Sequence, residues 1–258
     1  MSWSFTGPTA PFRDLRGGDP AVFSFGQVDD DRFTINEGIL FDDGTDRVVV
    51  SADTLVDTDL ASIPLFMAWF VPVNGRHTPA ALVHDTLVAD ANRSLREGET
   101  DRGGAADRRA HADAVFLRAM ESCEVPVLRR RLMHAAVTMA TCWTRSVVAR
   151  LALVLWVLAS VTGTAVLVWS LVGGRWLISL AAVVAPVVAA PLWGWSNRAP
   201  AALAGYAAWF VAVPALATAA GYAAYWSAEQ LLRVIPGGAE RDNGGPAPPP
   251  APFRCHLL

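Results

Sequence analysis

The chain has 258 residues and a formal net charge of −3, with only 17% charged residues and a mean hydropathy of +0.32. Soluble domains average about a quarter charged residues, so part of this chain is built for an apolar surrounding. Residues 1–101 hold 7 Arg against 17 acids, and residues 102–150 hold 9 Arg against 4 acids; the acidic front half excludes nucleic acid as a partner. All 21 basic residues are Arg. The three cysteines, Cys123, Cys142 and Cys255, form no CxxC pair, so neither a disulfide framework nor a zinc knuckle is indicated.

Residues 1–20 read as a lead, and residues 21–146 as the soluble domain. Val22-Phe23-Ser24-Phe25, Arg32–Asn36 and Arg47–Ser51 predict strands, the last preceded by the turn signal Asp42-Asp43-Gly44-Thr45. Thr58–Pro64 reads as a loop closed by Pro64. A helix is expected from Thr78, a capping residue followed by Pro79, to about Asn92. Ala80, His84, Leu87 and Ala91 share one stripe of it, so His84 points toward the core and Asp85 lies one step off. Arg93–Gly104 is polar and predicts an exposed loop. A second helix is expected over Ala105–Cys123, with Asp113 at the edge of a stripe of Ala112, Val115, Phe116, Ala119 and Met120. A third follows Pro126 and is expected to run straight into a membrane span. The fold class is α+β, a small antiparallel sheet packed on about three helices and followed by an all-α transmembrane region.

Over residues 147–228 three uncharged stretches predict three transmembrane helices, at about 151–172, 176–195 and 201–226. The connectors between them are short, and Trp169, Trp176, Trp193, Trp195 and Trp226 fall near the expected ends, as in an aromatic belt. Pro186, Pro191 and Pro214 interrupt the spans, yet no ionisable residue accompanies them inside a span, which favours an anchor over a pore. Small residues such as Gly163, Gly205 and Gly221 suit close helix packing and a homo-oligomer. Arg129, Arg130, Arg131, Arg145 and Arg150 precede the first span. The positive-inside rule then puts the soluble domain in the cytoplasm, the helices in the inner membrane and the tail outside. Arg129–Arg131 reads as a basic patch facing the membrane. Residues 235–258, rich in Pro and Gly, are expected to be disordered. The partners implied are the bilayer and a lipid or protein at the cytoplasmic face.

Two helices each turn one titratable group inward, His84 and Asp113. A carboxylate beside an imidazole fixes its tautomer and raises its basicity, and such a pair can activate water. Asp59, Ser62 and Asp85 are candidate supporting or substrate-binding residues, and Asp59 and Asp85 could offer oxygen ligands to Ca²⁺ or Mg²⁺. The same pair could equally be a structural bond between two buried polar groups.

The run Thr58-Asp59-Leu60-Ala61-Ser62-Ile63-Pro64, the pair His84-Asp85, and Asp113 with Phe116 resemble, in order and spacing, the DUF1353 family of phages and prophages, over roughly residues 20–140. The resemblance implies a domain without an assigned activity. Leu65 stands where that family usually has Arg, and Val88 where it usually has Tyr. The His-Asp pair on one helix with a second Asp on a facing helix is also similar to phospholipase-A2-like enzymes. By that analogy His84 would activate water, Asp113 would orient it and Asp85 would help hold Ca²⁺. A non-enzymatic phage-derived interaction or assembly module is the competing reading.

Overall fold

The computed structural model describes residues 2–4, 11–15, 22–27, 33–35, 38–51 and 75–234, with side chains placed in most of these. The Thr58–Pro64 run, including Asp59 and Ser62, and the tail 235–258 lie outside the described residues.

Among the described residues six short strands form two antiparallel three-stranded sheets. One has the order β1 (Ser2–Ser4), β3 (Val22–Gln27), β4 (Phe33–Ile35), and the other β2 (Phe12–Asp14), β5 (Ile39–Asp42), β6 (Arg47–Val50). The lead of residues 1–20 thus supplies two strands. In the β5–β6 hairpin Ile39 faces Val50 and Phe41 faces Val48. These four are buried, whereas Val49 between them is exposed, as the two-residue period of a half-buried sheet requires. Asp42 and Asp43 build the turn by accepting the backbone N–H groups of Gly44 and Thr45 at 3.1 and 2.9 Å. Gly44 takes φ 82°, which suits a residue without a Cβ.

Three helices complete the domain: α1 (Thr78–Arg96), α2 (Arg102–Ser122) and α3 (Val127–Arg145). They pack in sequence, α1 on α2 and α2 on α3, and α1 also meets β6. Phe12, Ile39, Phe41 and Val50 from the sheet share one core with Leu82, Val115, Phe116 and Met120 from the helices. Ala80, Ala91, Ala112 and Ala119 are fully buried, and their small side chains let the helices approach closely. The α2 helix is tied to the hairpin turn by Arg118, which donates from Nε to Asp43 at 2.8 Å and also bonds Asp46. His111 meets the same Asp46 at 2.8 Å. The Arg118 guanidinium and backbone N–H groups hold the Asp43 carboxyl below its ordinary range against the upward push of burial.

Three expectations about helix ends are corrected. The α1 helix continues past Asn92 to Arg96, and its start is not capped by Thr78; His77 holds the cap position, and the Thr78 hydroxyl accepts the Gly75 N–H at 2.9 Å. The expected loop Arg93–Gly104 shrinks accordingly, because Asp101 caps α2 by accepting the Gly104 N–H at 2.7 Å. The α3 helix does not run straight into the first apolar helix. Ser146 is extended (φ −164°, ψ 165°), and its side chain caps α4 (Val147–Val172) by accepting the Ala149 N–H.

After α4 come α5 (Trp176–Ala189), two 3₁₀ turns over Ala190–Trp193 and Trp195–Asn197, and α6 (Arg198–Val234). The domain is mostly helical. The expected second span, 176–195, is broken after Ala189, where Pro191 opens a 3₁₀ turn. Two of the three expected spans are found. Among the described residues two helices are long and apolar enough to cross a membrane, Val147–Val172 and Trp176–Trp193. The third stretch, 201–226, lies within α6, a 37-residue helix in which several side chains fall outside the described residues. Only 11% of the most apolar window of α4, and 28% of the second, is buried. A core helix of a soluble protein would be mostly buried; these apolar faces are left open, as for a membrane or another chain.

The helical hairpin is packed by small and hydroxyl residues. Ser170 and Ser179 bond each other at 2.8 Å in a fully buried contact. A Cβ on Gly205 of α6 would come within 2.8 Å of the Pro186 Cβ of α5, so the glycine is what permits that approach. A second cluster joins the domain to the hairpin through Cys142 of α3, Leu153 and Trp156 of α4, and Trp193 and Ala201. Trp156 and Trp193 meet edge to face at 4.9 Å.

Candidate functional site

The i, i+4 stripe of α1 delivers His84 to the α1–α2 contact, and α2 delivers Asp113 to the same place. His84 Nε2 lies 2.9 Å from Asp113 Oδ1, and His84 Nδ1 lies 3.8 Å from Asp85 Oδ1, an ion-pair contact too long for a hydrogen bond. The Phe116 ring, one turn after Asp113, lies 5.0 Å from the imidazole. The side chains are graded in exposure: Asp113 4%, His84 14% and Asp85 26%. The pair therefore sits at the rim of the core, with the Asp85 side turned toward solvent.

Burial alone would push the His84 pKa down. The hydrogen bond to Asp113 and the negative charges of Asp113 and Asp85 overcome it and raise the pKa from 6.5 to about 9. At neutral pH His84 is an imidazolium. Its Nε2–H donates to Asp113, and its Nδ1 lies 3.8 Å from the Asp85 carboxylate. Asp113 uses only one of its oxygens in this way: Oδ2 is buried and has no hydrogen-bond partner among the described residues. A buried carboxylate oxygen without a donor costs stability.

Residues of α3 add to this neighbourhood. The charge of Asp113 acts on both His134 and Cys142, which stand two turns apart on α3. Thr138 lies between them on the same helix. Thr138 is buried, and its hydroxyl has no hydrogen-bond partner among the described residues. Burial pushes the His134 pKa down, against the pull of Asp113. The sequence held a signal for this face in the spacing His134, Thr138, Cys142, which repeats every four residues. The signal was masked by the arginines around His134, which read as a surface.

The structure thus brings together His84, Asp113 and Asp85. Asp59 and Ser62 lie outside the described residues. Among the described residues no group of three or more His, Cys, Asp or Glu side chains is placed to hold a metal ion. A Ca²⁺ or Mg²⁺ site would depend on Asp85 with ligands from elsewhere. Of the expected basic patch, Arg130 is turned inward and bonds Glu121 at 2.9 Å.

Fold and site together define a small α+β domain with a buried His–Asp pair, joined to apolar helices. Residues 33–137 match the DUF1353 family, described as a protein of unknown function. The match runs from β4 into α3, so it contains His84, Asp85, Asp113, Phe116 and His134, and it stops before the apolar helices. No curated protein and no solved structure matches the chain.

Proposed function

We propose that the chain is a membrane-anchored hydrolytic domain in which His84 and Asp113 move the proton of an attacking water. The observation that carries this reading is the half-used Asp113 carboxylate behind an imidazole that keeps an exposed edge. A purely structural pair is expected to be sealed and fully bonded, and this one is neither. In the reaction Asp113 holds the Nε2–H, which leaves Nδ1 of the neutral imidazole to accept a proton from water on the Asp85 side. Because His84 rests as an imidazolium, it must first lose a proton. Hydrolysis should therefore rise with pH through about 9. The apolar helices favour a lipid ester as substrate. The arginines at the domain end of α4 and α6 favour the cytoplasmic face of the inner membrane, and a crossing by α6 would place the tail outside. Asp85 would hold a Ca²⁺ or Mg²⁺ ion if one takes part, and the ion would draw Asp85 away from Nδ1 and ease that deprotonation.

The test is hydrolysis of a phospholipid by the full chain in vesicles between pH 7 and 10, with and without Ca²⁺ or Mg²⁺. His84→Gln should abolish turnover while the chain stays folded. Turnover unaffected by that substitution sinks the hydrolase reading. The raised pKa of His84 favours one alternative, a clasp in which the imidazolium is held between two carboxylates to brace an interaction or assembly module. In that case His84→Gln lowers stability, and no turnover is found in either protein.

A further inference from the structure

We infer that Arg150 and Arg198 form a clamp for the anionic headgroup of a phospholipid on the domain side of the membrane. Three guanidinium groups lie over indole rings at the ends of the apolar helices. Arg150 lies 5.9 Å from the Trp143 ring centre, Arg198 4.8 Å from Trp195, and Arg175 4.0 Å from Trp169. None of the three has a carboxylate partner among the described residues, whereas Arg76, Arg93, Arg118, Arg130 and Arg145 all do.

Their levels follow from the chain path. Arg175 sits in the tight turn between α4 and α5, and Arg150 lies in the first turn of α4. The 26 residues of α4 span about 39 Å, enough to cross a hydrocarbon core of roughly 30 Å and reach both headgroup layers. Arg198 is back at the level of Arg150. Arg150 Nε donates to the Trp143 carbonyl at 2.8 Å, and Asn197, next to Arg198, donates to Cys142 Sγ at 3.5 Å. Both arginines therefore flank the Cys142-Trp143 turn. Between the two levels α4 and α5 expose Leu155, Leu158, Val161, Leu177, Leu180 and Val188. Below that belt two fixed cations face a plane where lipid phosphodiesters lie, with Trp143 and Trp195 exposed beside them. The Trp143 carbonyl holds Arg150 and the Trp195 indole holds Arg198, which leaves N–H groups of both for phosphate oxygens.

This inference rests on the membrane reading above, so the experiment separates the two. The full chain is reconstituted into phosphatidylcholine vesicles doped with phosphatidylglycerol, floated, and excised in polymer-bounded lipid discs whose lipids are quantified. The wild type should float with the vesicles and enrich phosphatidylglycerol around itself. Removing each arginine in Arg150→Gln and Arg198→Gln should cut that preference by roughly fivefold while flotation persists. Arg96→Gln, on the exposed end of α1, should leave the preference unchanged. Flotation without any preference in the wild type, or a preference that survives the double substitution, overturns the clamp and spares the anchor. Failure to float overturns the membrane reading itself.

Discussion

Raising the pH should unlock the domain at His84. The imidazole is held charged by Asp113 at 2.9 Å and Asp85 at 3.8 Å, which places its pKa at about 9 against an ordinary 6.5. One pKa unit corresponds to about 1.4 kcal/mol, so the charged form gains roughly 3 kcal/mol on folding. Because the folded pKa lies above the unfolded one, that stability is fully present below pH 6.5. It drains away as the pH rises from 6.5 to 9 and is gone above it. The window is free of neighbouring effects. His134, whose pKa is pushed down, acts below 6.5, where acid destabilises the fold. The Cys123 thiol, driven by burial from 9.0 up to about 12, costs stability only above pH 9. The assay is thermal unfolding of the full chain in detergent, followed by tryptophan emission, for the wild type and His84→Gln. The wild type should lose several degrees between pH 6.5 and 9 relative to the variant, whose profile should be nearly flat. Parallel profiles would show that folding does not change the proton affinity of His84.

Three other outcomes are expected. Asp113→Asn removes the charge but keeps the shape, and should cost about 3 kcal/mol at pH 7 and much less at pH 9.5, read by the same unfolding assay. Arg118→Ala should lower stability by about 1 kcal/mol, since its bonds to Asp43 and Asp46 are partly exposed to solvent, and amide exchange in the β5–β6 hairpin should speed up. Gly205→Ala should weaken the α5–α6 contact by roughly 1–3 kcal/mol, because the new Cβ meets Pro186; Gly221→Ala, with nothing within 4 Å, should melt like the wild type in detergent.

Much of the domain was legible in the sequence because periodicity speaks for faces. The turn signal Asp42–Thr45 announced the strand Arg47–Val50, and the stripes of α1 and α2 turned His84 and Asp113 toward each other. Helix ends were harder to read. Arg93, Leu95 and Arg96 form helix well, so α1 continued through a run that looked like a polar loop. Ser146 gives no periodic signal at all; its extended backbone, which separates α3 from α4, shows only in three dimensions. The charge state of His84 was likewise out of reach, since it depends on two carboxylates standing at different distances from the two ring nitrogens. Thr138 escaped notice because a lone threonine in a helix gives no sign of burial until the packing of that helix is known.

The most direct test is an NMR titration of the His84 imidazole, labelled at Cε1, in the full chain and in Asp113→Asn. A midpoint near 9 that falls toward 6.5 in the variant is expected if the pair holds its proton as the geometry implies. A midpoint near 6.5 in both proteins would contradict the clasped imidazolium, and with it the site from which the function was read.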